Sequence, residues 1–204
     1  MRYLFFTLCL CTVFSSCRKT ISETSASAGE SPAENEFLMA KKSKTYVIYK
    51  GNQSCTPNPF VLTSAAKMAF TAIFDSTCTY QTVSPGNQED INKLYGFSDC
   101  GSHHLDNSAR IGWRWSDDSL RLFGFVHNDG VMVFREITTA SIGSTVTCRI
   151  NCLAETYYFE VNGKSVSLPR HCSGKYSRYK LFPYFGGDET APHDIKIIIQ
   201  EIPY

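Results

Sequence analysis

Residues 107–139 read NSARIGWRWSDDSLRLFGFVHNDGVMVFREITT, and the punctuation of this stretch decides the fold class. Two small polar clusters, Ser116-Asp117-Asp118-Ser119 and Asn128-Asp129-Gly130, interrupt three runs rich in aromatic and aliphatic residues. Asp, Asn and Gly tolerate the left-handed backbone that tight hairpins require, so three antiparallel strands are expected over 108–115, 120–127 and 131–137. Side chains alternate between the two faces of a strand. Ala109, Ile111, Trp113 and Trp115 therefore face one way, and Ser108, Arg110, Gly112 and Arg114 the other. The tryptophan face belongs in a core. The arginine face is expected to be open, with Gly112 leaving room for a ligand and Arg121 and Arg135 extending the positive surface.

Outward from this stretch the same pattern repeats. Apolar or alternating runs predict strands over 45–50, 67–75, 93–99, 145–152, 156–161, 164–169, 181–185 and 195–202. In 67–75 the apolar face is Met68, Phe70, Ala72 and Phe74. Asn162-Gly163 is a two-residue hairpin signal joining TYYFEV to KSVSLP. Segments 84–90 and 186–194 are turn-rich, and no helix of convincing length, heptad or internal repeat is present. Ten to thirteen short strands at regular spacing give an all-β fold, an antiparallel two-sheet sandwich or jelly roll.

The N-terminus has a different character. Arg2 precedes an apolar run, 3–14, that is too short to span a bilayer comfortably, and Ser15-Ser16-Cys17 follows. This resembles the lipobox of bacterial lipoproteins, with Phe14 standing where Leu is more usual. The resemblance implies a signal over 1–17, a lipid on Cys17 and export to the cell envelope, at the outer membrane or cell surface. The membrane would then be met through the anchor alone; ordinary signal cleavage without lipid is the alternative. Residues 18–44 are poor in apolar side chains and rich in Ser, Ala, Glu and Lys, a composition suited to a tether before a folded body over 45–204.

Of nine cysteines, Cys9 and Cys11 fall in the signal and Cys17 carries the lipid. The remaining six, Cys55, Cys78, Cys100, Cys148, Cys152 and Cys172, suit up to three disulfides in an exported chain. On one strand Cys148 and Cys152 would lie roughly 13 Å apart at about 3.3 Å per residue, and so need separate partners. A zinc site using Cys100 with His103 or His104 is the competing use of these residues, although the spacing matches no closed structural motif.

The net charge of +1 argues against a dedicated nucleic-acid binder. YYFEVNGKSVSLP and YKLFPYFGGDETAPHDIKIIIQEI resemble the Asn-Gly-Lys hairpin and the closing strands of concanavalin A-like jelly rolls, alginate-lyase-like members in particular. The lyases' Arg-x-Glu-Leu-Arg strand is not present; Ser108-Ala109-Arg110 stands roughly where it would fall, and the Gln-Ile-His segment is missing too. The resemblance implies a polysaccharide, plausibly acidic, on the concave face, where Arg110, Arg114, Arg121 and Arg135 would meet carboxylates through their planar forks. If it extends to β-elimination, His104 or His103 is the base, Tyr184 the acid and Arg110 the carboxylate neutraliser. A structural or adhesive surface protein is the third reading. The Glu-x-Asp-x-Glu strand of laminarinase-type hydrolases is absent, and Asp117 and Asp118 are explained as turn formers. No cofactor is required, but Asp188 and Asp194, with Glu189 between them, could hold a structural calcium.

Overall fold

In a computed structural model describing residues 43–174 and 177–204, both polar clusters of the 107–139 stretch turn the chain. Asp117, Asp118 and Asp129 adopt φ of 50°, 50° and 49°, and Gly130 follows Asp129 at 81°, the left-handed geometry of tight hairpins. They separate β5 (Ser108–Ser116), β6 (Ser119–Asn128) and β7 (Val131–Ala140). Asn162 and Gly163, at φ 48° and 80°, make the same kind of turn between β9 (Thr156–Val161) and β10 (Lys164–Pro169). The remaining strands are β1 (Lys44–Ile48), β2 (Leu62–Thr63), β3 (Lys67–Phe74), β4 (Asn92–Ser98), β8 (Thr145–Cys152), β11 (Arg178–Leu181) and β12 (Ile195–Glu201).

Two six-stranded antiparallel sheets result, ordered β1-β12-β3-β8-β9-β10 and β2-β11-β4-β5-β6-β7. The only helical turns among the described residues are short 3-10 segments at Ser76–Cys78 and Pro85–Glu89. Alternation supplies the layer between the sheets. Phe70, Ala72 and Phe74 of β3 and Ile195 and Ile197 of β12 meet Ala109, Ile111 and Trp113 of β5, all fully buried. Trp113 packs on Phe74 and Tyr80 with ring centroids 5.4 and 5.8 Å apart, and Trp115 lies at the margin of this core. Truncating a buried aromatic of this kind to Ala costs about 3–5 kcal/mol. The segment expected as a signal, 1–17 with Cys17, and all but the last two residues of the expected tether, 18–44, lie outside the described residues; the first described strand, β1, begins at Lys44.

Two expectations need correction. The penultimate strand lies at Arg178–Leu181 rather than 181–185. Pro183 offers no N–H to a ladder, and the segment keeps only isolated bridges from Tyr184 to Ser54 and Lys93. Of the six candidate cysteines, Cys100 and Cys172 are bonded, with Cα atoms 6.2 Å apart, while Cys55, Cys78, Cys148 and Cys152 are free thiols. Cys55 and Cys78 donate instead to the carbonyls of Pro57 and Lys196, at 3.3 and 3.4 Å. Cys148 is a core side chain of β8, and burial pushes its thiol well above the usual range. With Cys100 in a disulfide, its sulfur is not a thiolate available for the zinc site considered with His103 or His104.

Candidate functional site

The outer face of the second sheet carries Arg110, Arg114 and Arg121. Cross-strand pairing places Arg110 opposite Phe125, Gly112 opposite Phe123, Arg114 opposite Arg121 and Ser108 opposite His127, so these eight residues share that face. Register then separates the four arginines by role. Arg114 pairs with Glu89 at 2.6 Å, and Arg121 with Asp117 and Glu136 at 2.6 and 3.0 Å. Arg135 pairs with Gly124, whose inner side meets Phe159 and Val166, so it lies on the opposite face. Ile137 is an extra residue in β7 between the pairs Leu122–Thr138 and Phe123–Glu136, and this bulge inverts the facing of everything before it. Gly112 leaves no room for a ligand either: a methyl there would meet Ile91 Cγ2 at 2.5 Å, because Ile91, Phe123 and Phe125 form a small apolar cluster over it.

Arg110 is different. It is 5 % exposed, lies over the Phe125 ring at 5.3 Å, and its Nε is buried without a hydrogen-bond partner. Its Nη2 meets His127 Nδ1 at 3.4 Å, an acceptor only when that ring is neutral. Among the described residues no carboxylate comes within ion-pair distance of Arg110 or of Lys93. Lys93 also lies over Phe125, at 5.1 Å, and donates to the Gly186 carbonyl at 2.9 Å. It reaches this face because Leu94 forms a bulge in β4, which lets Lys93 pair with Gly112 outside while Leu94 and Tyr95 enter the core.

A cavity of about 310 Å³ opens over Arg110 and is walled by His104, Tyr179, Tyr184 and Phe60. Tyr179 accepts the backbone N–H of His104 at 2.9 Å and meets its Nδ1 at 3.1 Å. Tyr184 donates to Gln53 Oε1 at 2.6 Å. Around Arg110 burial and positive charge prevail, with Asp106 acting the other way on the two imidazoles and Asp90 on Lys93. Burial first, then Arg110 and His103, pull His104 down to about 4; burial, Arg110 and Lys93 do the same to His127. Burial and Arg110 bring Lys93 down to about 8, and burial brings Arg110 to about 10. The neutral imidazole of His104, the Arg110 guanidinium without a carboxylate partner and the phenols of Tyr179 and Tyr184 therefore line one opening, with His127 and Lys93 beside Arg110 on the same face, a set suited to seating an anion and to proton transfer beside it.

No protein-family model matches the sequence, and no curated protein matches it either. Solved structures do. A functionally unknown protein from Saccharomyces cerevisiae superposes with a TM-score of 0.50 at 8% identity, over 78% of this chain and 85% of that one. The alginate lyase from Alteromonas sp. 272 gives 0.49 at 10% identity over 78% and 85%, and the laminarinase catalytic domain from Thermotoga maritima MSB8 gives 0.47 at 9% over 77% and 76%. The fold is an antiparallel two-sheet sandwich of the jelly-roll kind. At such identities the likeness concerns fold alone.

Of the residues anticipated for catalysis, His104, Arg110 and Tyr184 line this one cavity of the jelly roll. His103 does not; it is exposed, with its ring centroid 4.2 Å from that of His104 and tilted to it. Lys93, His127, Tyr179 and Gln53 were not anticipated. His127 could have been found from parity, since it lies two and four residues from Phe125 and Phe123 on the same strand. Lys93 could not, because the bulge that turns it outward has no sequence signal. In the acidic loop expected to hold calcium, two carboxylates meet protein donors. Glu189 accepts from the backbone of Val83 and Ser84 and from Asn87, each at 2.8 Å, and Asp194 accepts from Lys50 N–H at 2.9 Å. The metal-capable side chains that converge among the described residues are Asp99, Cys100 and Cys172, two of them bonded to each other.

Proposed function

We propose that the outer face of the second sheet binds an acidic polysaccharide, with a carboxylate seated on Arg110 and steadied by Lys93. The observation that carries this reading is the buried Arg110 guanidinium, which has an unpartnered Nε and no carboxylate partner yet stands at the floor of an open cavity. A desolvated cation is costly unless paired, and a bidentate carboxylate would satisfy the planar fork. Phe60, 74 % exposed and packed at a tilt 5.4 Å from Tyr179 at the cavity wall, offers an apolar surface for the sugar ring. The export signal and lipid on Cys17 fit this role, holding the binding face outside the cell.

Affinity electrophoresis in gels containing polyuronates tests the proposal. Retardation is expected in polyuronate and not in a neutral glucan. Arg110→Ala should lose about tenfold to a hundredfold in affinity, the equivalent of about 1.5–3 kcal/mol for a hydrogen bond to a charged group. Equal retardation of Arg110→Ala and wild type would remove the reading.

A second reading, cleavage of the same polymer by β-elimination, is favoured by the neutral His104 beside Tyr179, Tyr184 and Arg110. In it His104 takes the proton next to the carboxylate, Tyr184 supplies one to the leaving oxygen, and Arg110 offsets the developing charge. Unsaturated uronate products, followed by ultraviolet absorbance and lost in His104→Ala, distinguish cleavage from binding. An adhesive surface protein would give neither retardation nor product.

A further inference from the structure

At the end of the sandwich where β4 leaves the second sheet, three sulfurs surround one buried carboxylate. Cys152 Sγ and Cys172 Sγ lie 3.4 and 3.8 Å from the same oxygen, Asp99 Oδ2, and Cys100 adjoins Asp99 in sequence. Cys100 and Cys172 are bonded; Cys152 is a thiol at the wall of a separate cavity of about 590 Å³, half-buried and open to solvent on that side. The cations are distributed to match. Arg170 Nη2 meets Cys100 Sγ at 3.2 Å, Arg178 Nη2 meets Cys152 Sγ at 3.5 Å, and the Tyr157 hydroxyl lies 4.0 Å from Cys172 Sγ. Each sulfur that would carry negative charge during an exchange, the attacking one and the departing one, has its own guanidinium. The sulfur that would be attacked has none.

We propose that Cys152 is the third member of a thiol–disulfide exchange site, able to take over the bond to Cys172. Cys152 loses its proton to solvent and its thiolate attacks Cys172 Sγ. The Cys152–Cys172 bond forms as Cys100–Cys172 breaks, and Cys100 leaves as a thiolate that Arg170 stabilises before solvent reprotonates it. One disulfide and one thiol are present before and after, so no outside oxidant or reductant is consumed. Burial and the neighbouring Asp99 hold the Cys152 thiol up, which makes the exchange base-promoted. Its structural consequence falls on the loop over 100–107, which carries His104 to the glycan cavity. In one bonded form Cys100 tethers that loop to Cys172; in the other the tether is gone.

The test is disulfide mapping of the folded, intact chain. Cleavage after Lys and Arg places Cys100, Cys152 and Cys172 on three different peptides, 94–110, 150–164 and 171–175, so each linkage has its own mass. Wild-type protein held at mildly alkaline pH without reductant, then quenched in acid and alkylated, should give Cys152–Cys172 linked peptides beside the Cys100–Cys172 pair. Their share should grow as pH rises, and Cys152→Ser should show only Cys100–Cys172. In a second arm, Cys100→Ser oxidised with glutathione disulfide should form Cys152–Cys172. Wild-type protein showing only Cys100–Cys172 at every pH overturns the proposal, whether or not Cys100→Ser folds. A folded Cys100→Ser variant that leaves both thiols open overturns it as well. Neither arm measures glycan, so the result stands apart from the binding reading.

Discussion

Burial, with the charge of Arg110 added to it, holds His104 and His127 neutral down to about 4, against an ordinary value of 6.5. The unfolded chain therefore binds more protons than the folded one as pH falls from about 6.5 to about 4, and stability is lost across that window. Urea denaturation midpoints should fall over this range, and His127→Gln should flatten the fall; an unchanged slope would mean that the ring does not titrate with folding. Lys93 works on the other side of neutrality. With its ammonium held to about 8, ligand affinity should weaken as pH rises through that value. Lys93→Arg should remove the dependence, because a guanidinium keeps its charge there. Titrations of polyuronate binding at several pH values measure both.

At the scale of single strands, the outer face is composed by two bulges and one filled gap. The bulge at Leu94 delivers Lys93, and the extra Ile137 in β7 sends Arg135 away. Gly112 is needed because Ile91 occupies the space above it, so Gly112→Ala would force a stiff, β-branched neighbour aside. Overpacking of this kind costs about 1–3 kcal/mol. Chemical denaturation should register that loss, and adding Ile91→Ala to Gly112→Ala should recover part of it. A neutral Gly112→Ala would show that the cluster yields freely. The strands themselves were legible in the sequence, because Asp117-Asp118, Asp129-Gly130 and Asn162-Gly163 encode their turns locally. The facing of Arg135 and Lys93 was not, since a one-residue slip in pairing inverts a face and leaves no mark on composition.

Across the whole molecule, Asp99 fastens the two sheets to each other. Its side chain, fully buried, accepts from Arg170 Nε at 2.6 Å, Arg178 Nε at 2.8 Å and Tyr157 Oη at 2.8 Å. Tyr157 belongs to the first sheet and Arg178 to the second. Asp99→Asn leaves two guanidinium groups without their counter-ion, and breaking a buried pair in this way costs about 3–5 kcal/mol. Urea unfolding should show a loss of that order, whereas a loss under about 1 kcal/mol would mean that solvent reaches the cluster and replaces the charge. The sequence by itself determined the sandwich, its hairpins and the burial of Trp113, because turn chemistry and two-residue alternation act over a few neighbouring residues. Only the tertiary structure decided which cysteines bond, which arginines lack carboxylates, and that His104, Arg110 and Tyr184 share a cavity. Those are relations between residues as much as 80 positions apart in the chain, set by strand register and sheet order, and no local pattern records them.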